Sequence, residues 1–389
     1  MTHPTSVRRV SAARWGVAAL FVANAIVFAS IATRYPELKE TFGLGELTFG
    51  LIVACGPVGS IFGSMVAGRM VARLGAISVA VGSSATLGLL LVGVGFVGHP
   101  VLLAAALFVI GFADATGDVG NNAHGLDVQR LMGRSIIVGL HGAWSAGAIA
   151  GGLVGLGALQ LAVPASVQFA VVGGAIVVGS LVALTTLGLP EPVVHETTPA
   201  TSGRSRLLSA VLLAACGVAV IGAFLEDLGS TWGGVFLVQE AGADIADSAF
   251  PFVALMAALT LGRFVADPLV DRFGPVATVR LGAASAFLGV LAVGAVPAQA
   301  AVIVGFALVG LGVAPMIPLA MAAAERAPGL GRGTGLAIAA TLMRVGMLAS
   351  PLLVGAISEV TGLRVAVLLC LVVPVVALLL ARALRPPQG

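Results

Sequence analysis

Apolar residues run for about twenty positions at a time along this chain, and short clusters of Gly, Pro, Asn, Asp and charged residues separate the runs. Twelve runs can be marked, near 14–34, 47–70, 76–97, 101–121, 135–160, 166–188, 207–232, 248–270, 276–296, 299–321, 334–358 and 363–383. A bilayer core of roughly 30 Å takes about 20 apolar residues as a helix, so each run predicts one membrane-spanning α-helix. Between the sixth and seventh, positions 190–206 are rich in Pro, Thr, Ser and charge, the composition of an exposed linker. The expected fold class is all-α and integral to the membrane. It has 12 transmembrane helices in two six-helix bundles, an N-terminal one over 1–189 and a C-terminal one over 207–389, joined by a cytoplasmic linker over 190–206.

The two halves repeat each other. Shifted by 199 positions, Gly63, Val66, Ala67, Val71, Arg73 and Gly75 fall on Gly262, Val265, Ala266, Val270, Arg272 and Gly274. The same shift sets Gly111 and Ala115 on Gly310 and Ala314, and Gly147 and Ala150 on Gly346 and Ala349. An even number of spans per copy makes the repeat parallel and pseudo-symmetric about an axis along the membrane normal, an arrangement of secondary transporters.

Composition excludes a soluble protein. Of 389 residues, 59% are hydrophobic and 10% charged, against about 25% charged in soluble domains, and the mean hydropathy is +1.10. The 20 Lys and Arg are scattered, nearly all at helix ends, and form no patch, so the net charge of +3 is not a nucleic-acid footprint. Sixteen of them fall in the N-terminal tail, the even-to-odd connections and the C-terminus, counting Arg263 with the nearby loop, while Arg34, Lys39 and Arg364 fall on the other side. By the positive-inside rule both termini are cytoplasmic. Arg8, Arg9 and Arg14 before an apolar stretch imitate a secretory signal, but the stretch from Trp15 to Thr33 is too long for one and reads as an uncleaved first span. Cys55, Cys216 and Cys370 lie inside apolar runs and read as small core residues. No phosphate loop, metal-ligand cluster or nucleophile triad is present in the sequence, so neither a nucleotide-driven pump nor an enzyme is expected, and no cofactor or metal.

A charge at the middle of a bilayer costs roughly 2.5–3.5 kcal/mol on insertion scales and needs a partner, a water-filled cavity or a function. Asp114 and Asp118 lie four residues apart on one face of the fourth span, in its cytoplasmic half. Two close carboxylates resist joint ionisation, so one is expected to hold a proton; the alternative for Asp118 is an anchor to backbone amides or to His141. Glu226 and Asp227 are adjacent in the outer half of the seventh span and point about 100° apart, so one of them faces the cavity. Arg344, at least ten residues from either end of the eleventh span, is too deep to reach the interface. Its planar fork either holds a substrate carboxylate or phosphate or neutralises Glu226 or Asp227. Asn24, in the first span, adds a hydrogen-bonding group or joins two helices. Pro57, Pro251, Pro315, Pro318 and Pro351 predict kinks, and 53 glycines, most inside spans, predict close helix packing.

Several of these residues fall in longer patterns. Asn24, Phe28, Ala29, Ser30, Arg34 and Pro36 form F-x-x-N-x-x-x-F-A-S-x-x-x-R-x-P; Asp118, Val119, Asn122, Ala123 and Gly125 form D-V-x-x-N-A-x-G; His141, Gly142, Trp144 and Ser145 form H-G-x-W-S; Glu226 and Trp232 form E-x-x-x-x-x-W. These stretches resemble the major facilitator superfamily, and within it the MosC-like or YbjJ-like group of bacterial transporters. The superfamily's loop motif G-x-x-x-D-R-x-G stands twice in altered form: Gly68, Arg73 and Gly75 with Ala72 for the acid, and Asp271, Arg272 and Gly274 with Asp267 for the first glycine. The resemblance implies a conformational latch at Arg73, Asp267, Asp271 and Arg272, weakened in the first copy by Ala72. Gly147, Gly151 and Gly152 supply half of the antiporter signature of span five, without its proline, and imply no direction.

The architecture and the resemblance together imply a monomeric secondary transporter of the bacterial cytoplasmic (inner) membrane, surrounded by lipid, that moves a small organic solute by alternating access. Protons are the expected coupling ion, carried by Asp114, Asp118 and Glu226. The expected cavity residues are Asn24, Glu226, Asp227, Trp232 and Arg344, and the expected cargo is amphiphilic or anionic. Two other readings stay open: a proton-independent facilitator of the same fold, and a transporter-like membrane receptor that binds a solute without turnover.

Overall fold

In a computed structural model of the chain, described over residues 4–133, 136–186, 210–296, 298–327 and 334–385, all regular secondary structure among the described residues is helical. The first part carries α1 (Pro4–Ala32), a short α2 (Tyr35–Thr41), α3 (Glu46–Leu74), α4 (Ala76–Val94), α5 (Pro100–Met132), α6 (Ile137–Gln160) and α7 (Ala165–Thr186). The second carries α8 (Ala210–Asp227), a π-helical turn over Leu228–Trp232, α9 (Gly233–Gln239), α10 (Phe250–Ala295), α11 (Gln299–Val313), α12 (Met316–Glu325), α13 (Thr334–Thr361), α14 (Leu363–Leu369) and α15 (Val372–Leu380). The expected linker at 190–206 lies outside the described residues.

Eleven stretches among the described residues are long and apolar enough to cross a membrane, and one of them runs 51 residues from Ile245 to Ala295. That stretch turns at Gly274 (φ 78°, ψ 165°) and holds two spans, which brings the number to twelve. Gly75 (φ 82°, ψ 150°) makes the same turn between α3 and α4, 199 positions earlier. Only glycine adopts this backbone region without strain, so the repeat seen in the residues is a repeat of conformation. The protein is thus an all-α, twelve-span membrane protein with two pseudo-symmetric sets of six helices. Large apolar side chains such as Phe62, Met65, Phe96 and Phe264 are more than half exposed, as lipid-facing residues are.

The described helices fall into two units, residues 1–34 with 55–196 and residues 35–54 with 197–389. Inside each, glycines let helix backbones touch. In the first unit a Cβ at Gly111 of α5 would overlap the carbonyl oxygen of Gly56 of α3, and one at Gly147 of α6 would press on Val22 of α1. In the second unit the related pairs are Gly310 of α11 on Leu255 of α10, and Gly346 of α13 on Val220 of α8.

Prolines act as their missing N–H and ring dictate, with one departure from expectation. A proline ring clashes with the carbonyl four residues earlier. Pro318 accordingly separates α11 from α12 at Ala314, and Pro374 separates α14 from α15 at Cys370. Pro57 and Pro351 lie inside α3 and α13. Pro251, expected as a kink, instead starts α10, where its missing donor is one that a helix leaves unpaired anyway.

Two helices run further than their apolar runs. The fourth span, expected to end near 121, continues through Asn121, Asn122, His124 and Asp127 to Met132, and closes on Gly133 in the left-handed conformation (φ 63°, ψ 18°). Gln129 Oε1 then accepts from Ile136 N at 2.9 Å and ties the helix end to the start of α6. The seventh span runs on through the π turn to Gln239, so Glu226 and Asp227 lie at its middle and not in its outer half.

The three basic residues expected on the side opposite the termini have structural work. Lys39 pairs with Glu46 at 2.9 Å. Arg364 donates from Nε to Gly294 O at 2.8 Å and from Nη2 to Ala295 O at 2.9 Å, capping the last carbonyls of α10. Arg34, 2% exposed, donates from Nε to Gln168 Oε1 at 2.7 Å and from Nη2 to Val163 O at 2.8 Å, fastening the end of α1 to the α6–α7 connection. Charged hydrogen bonds of this kind contribute about 1.5–3 kcal/mol each. Arg34→Ala is therefore expected to cost about 3 kcal/mol or more, read as a lowered midpoint of thermal unfolding in detergent. A midpoint equal to wild type would show that the clamp contributes nothing.

Candidate functional site

In the first unit, the motif stretches of α1, α5 and α6 meet. Asn24 Nδ2 donates to Asp114 Oδ1 at 2.6 Å, and Asn24 Oδ1 accepts from Trp144 Nε1 at 2.9 Å. An indole nitrogen only donates, so Trp144 fixes the amide with its oxygen toward the ring and its nitrogen toward the carboxylate. One turn to either side of Asn24, Phe28 stacks on Trp144 with ring centroids 6.4 Å apart, and Phe21 meets His141 edge-on at 5.4 Å. Asp118 is held differently: its Oδ1 accepts from Asn122 Nδ2 at 2.9 Å, and the same amide reaches the Asp118 carbonyl at 2.9 Å. The two carboxylates expected to act as a pair therefore have separate amide partners, one across the bundle and one on their own helix. Both Asp114 and Asp118 are half-buried.

The second unit gathers the other acids. Glu226 and Asp227 end α8, half-buried, at the entry to the π turn. Thr231 Oγ1 donates to Asp227 Oδ2 at 3.3 Å, and Ser350 of α13 lies close to the same carboxylate without reaching hydrogen-bond geometry. Trp232 closes the π turn fully buried, its ring edge-on to Phe49 at 5.2 Å, and Phe49 in turn meets Tyr35 at 5.7 Å. Burial first, and the charge of Asp227 second, push the Tyr35 phenol above its ordinary range. A π turn inside a helix is uncommon and occurs preferentially at functional sites. Here it follows directly on the two acids.

A cation whose field acts on Glu226 is Arg263. Counted above with a cytoplasmic loop, Arg263 instead lies half-buried, thirteen residues into α10 and eleven before the turn at Gly274. It is a second arginine at membrane depth, which the sequence reading missed. The signal was its distance from the turn glycine, obscured by Asp267, Asp271 and Arg272 just beyond it. Arg344 is half-buried near the middle of α13.

The expected latch residues Arg73, Asp267, Asp271 and Arg272 are exposed and form no ion pair among the described residues; Arg272 lies over the ring of Phe273 at 5.3 Å. A cavity of about 350 Å³ in the second unit is lined by Pro36, Lys39, Leu44, Val235 and Gln239, none of them an expected site residue.

Comparison with known proteins follows the same lines. Residues 17–329 and 207–389 match the family model described as the Major Facilitator Superfamily. The chain is similar to the uncharacterized transporter y4wD of Sinorhizobium fredii, 27% identical over 92% of this chain and 94% of that one. It is also similar to the membrane protein MosC of Rhizobium meliloti, 23% identical over 92% and 87%. Among solved structures, a crystal structure of the nucleoside transporter NupG superposes with a TM-score of 0.79 at 13% identity, covering 96% of this chain and 100% of that one.

Proposed function

We propose, from the premise that the chain belongs to the Major Facilitator Superfamily, that it couples protons to the passage of a small organic solute. The family acts by transport and not by catalysis, and this multi-pass membrane protein moves a solute by alternating access. Within the family we place it in the MosC-like or YbjJ-like group, in the bacterial inner membrane. The excess of Lys and Arg at the tails and the even-to-odd connections supports cytoplasmic termini.

The observation that carries the coupling is the chain Trp144→Asn24→Asp114. With its amide held by the indole, Asn24 only donates to Asp114. That bond is charge-assisted while Asp114 is ionised and roughly half as strong once it is neutral. Protonation therefore loosens the tie of α5 to α1 and α6, which gives a proton a mechanical effect. Asp118 and Glu226 are the further proton carriers of this reading. Its solute-binding residues are Asn24 in the first unit and Glu226, Asp227 and Arg344 in the second, with Trp232 as the buried support of the π turn. The arginine and its fork favour an amphiphilic or anionic solute. Arg73, Asp267, Asp271 and Arg272 belong to the state of the cycle in which the latch is closed.

The test begins with a solute library screened for thermal stabilisation of the purified protein at two pH values. A ligand at 100 times its dissociation constant adds about 2.7 kcal/mol. A stabilising solute is then followed into reconstituted vesicles under a pH gradient. Wild type is expected to accumulate it, and Asp114→Asn and Glu226→Gln to exchange it without accumulation. Accumulation in both variants would remove these carboxylates from the coupling; equilibration without accumulation in wild type, unchanged when the pH gradient is collapsed and in Glu226→Gln, would identify a proton-independent facilitator; and binding without any flux in wild type would identify a receptor.

A further inference from the structure

Below Asp118, α5 continues for more than three turns inside the first unit, and that stretch is more polar than helix packing needs. Asp114, Asp118, Asn121, His124 and Asp127 follow one another at spacings of four, three, three and three. Neighbours at such spacing on a helix have Cβ atoms about 5–6 Å apart, and the thirteen residues from Asp114 to Asp127 rise about 20 Å. Asn121 is 4% exposed and His124 2%, and neither Asn121 Oδ1 nor His124 Nε2 has a hydrogen-bond partner among the described residues. Asp127, its side chain 15% exposed, lies 3.5 Å from the exposed Arg130 guanidinium at the end of the helix.

The surroundings give these two atoms no structural reason. One turn before His124, Gly120 touches Ala76 and Ala80 of α4; one turn after it, Val128 packs with Val17 and Phe21 of α1. An apolar side chain at 121 or 124 would pack there without leaving a buried polar atom unpaired. The ionisable groups offered by the elements around α5 are few. Helices α4 and α7 carry none; the described part of α1 brings Arg14, α6 brings His141, and the end of α3 brings Arg69 and Arg73.

We propose that this ladder is a proton route linking Asp118 and Asp114 to the water at the Met132 end of α5, running inside the first unit. The proposal rests on the coupling reading above. A proton enters at the Asp127 carboxylate and passes to the lone pair of His124 Nε2, making the imidazolium. The imidazolium then gives up one proton toward the Asp118 carboxylate. Water held by Asn121 Oδ1 bridges spacings too long for direct contact. For each proton taken up at Asp127 one is delivered to Asp118, only O–H and N–H bonds are made and broken, and Asp127, His124 and the bridging water return to their starting charge while the Asp118 carboxylate becomes the carboxylic acid.

The test needs no solute. Full-length protein in lipid nanodiscs is subjected to a rapid pH drop, and the infrared C=O band of protonated carboxyl groups is followed in time. The band is assigned by its loss in Asp114→Asn and Asp118→Asn. His124→Leu is expected to slow its appearance at least tenfold with the final amplitude retained. Asp127→Asn, a change at the helix end that leaves the apolar packing untouched, is expected to slow it as well. Rates equal to wild type in both variants would overturn the route and leave the coupling reading standing. Absence of any titrating Asp114 or Asp118 band in wild type would overturn the coupling reading, and the route with it.

Discussion

Gly111→Leu is expected to give no folded protein: no monodisperse species in detergent, and no cooperative thermal transition. Gly111 of α5 faces the backbone of α3 so closely that even a Cβ would overlap the carbonyl oxygen of Gly56. The atom in the way is main chain, not the end of a flexible side chain, so relief requires the two helices to part. Overpacking in cores costs about 1–3 kcal/mol where side chains can adjust, and more where backbone must move. Helix association in lipid has no hydrophobic drive to absorb that separation, because lipid tails are as apolar as leucine. Gly68→Leu supplies the control, since nothing lies within 4 Å of a Cβ there and the residue is exposed. By the 199-residue repeat, Gly310→Leu is expected to fail as Gly111→Leu does, because its Cβ would overlap the Leu255 carbonyl. Normal folding of Gly111→Leu would mean that α3 and α5 do not pack through this contact.

Lipid made much of this architecture readable. A bilayer admits only helices of a certain length, so twelve apolar runs sufficed to count the spans. The repeat was legible at Gly75 and Gly274 because their backbone conformation excludes every other residue type. What stayed hidden depended on contacts across the chain. The end of α5 was misplaced because a run of Asn, His and Asp reads as an exit to water, whereas here it is buried polarity inside a continuing helix. Short α2, and the membership of residues 35–54 in the second unit, leave no periodicity to detect in seven-residue and half-helix pieces. Of the candidate site, Asn24 and Asp114 were singled out separately, yet their bond, ninety positions apart, and the indole that orients it belong to the fold alone. Arg263 was misread because charge counting assigns a residue to the nearest loop, and the nearest loop was three acidic or basic neighbours away.

Arg344→Ala is expected to abolish solute accumulation in vesicles while the protein inserts and folds as wild type. On α13, positions 344, 348, 351 and 355 share one face. Pro351 and Gly355 of that face pack against Gly50 and Glu46, which places Arg344 about 10 Å further along the same stripe, near the middle of the span. Arginine at that depth is costly unless a partner or a ligand uses its charge. A solute carboxylate or phosphate held by the guanidinium fork would gain about 2–3 kcal/mol, a factor of about 30 to 150 in affinity. Arg344→Ala should lose that factor in solute-induced thermal stabilisation. Arg344→Lys, which keeps the charge but not the fork, should recover only part of it. Full transport in Arg344→Ala would remove this residue from the site, and full recovery by lysine would reduce its role to a point charge.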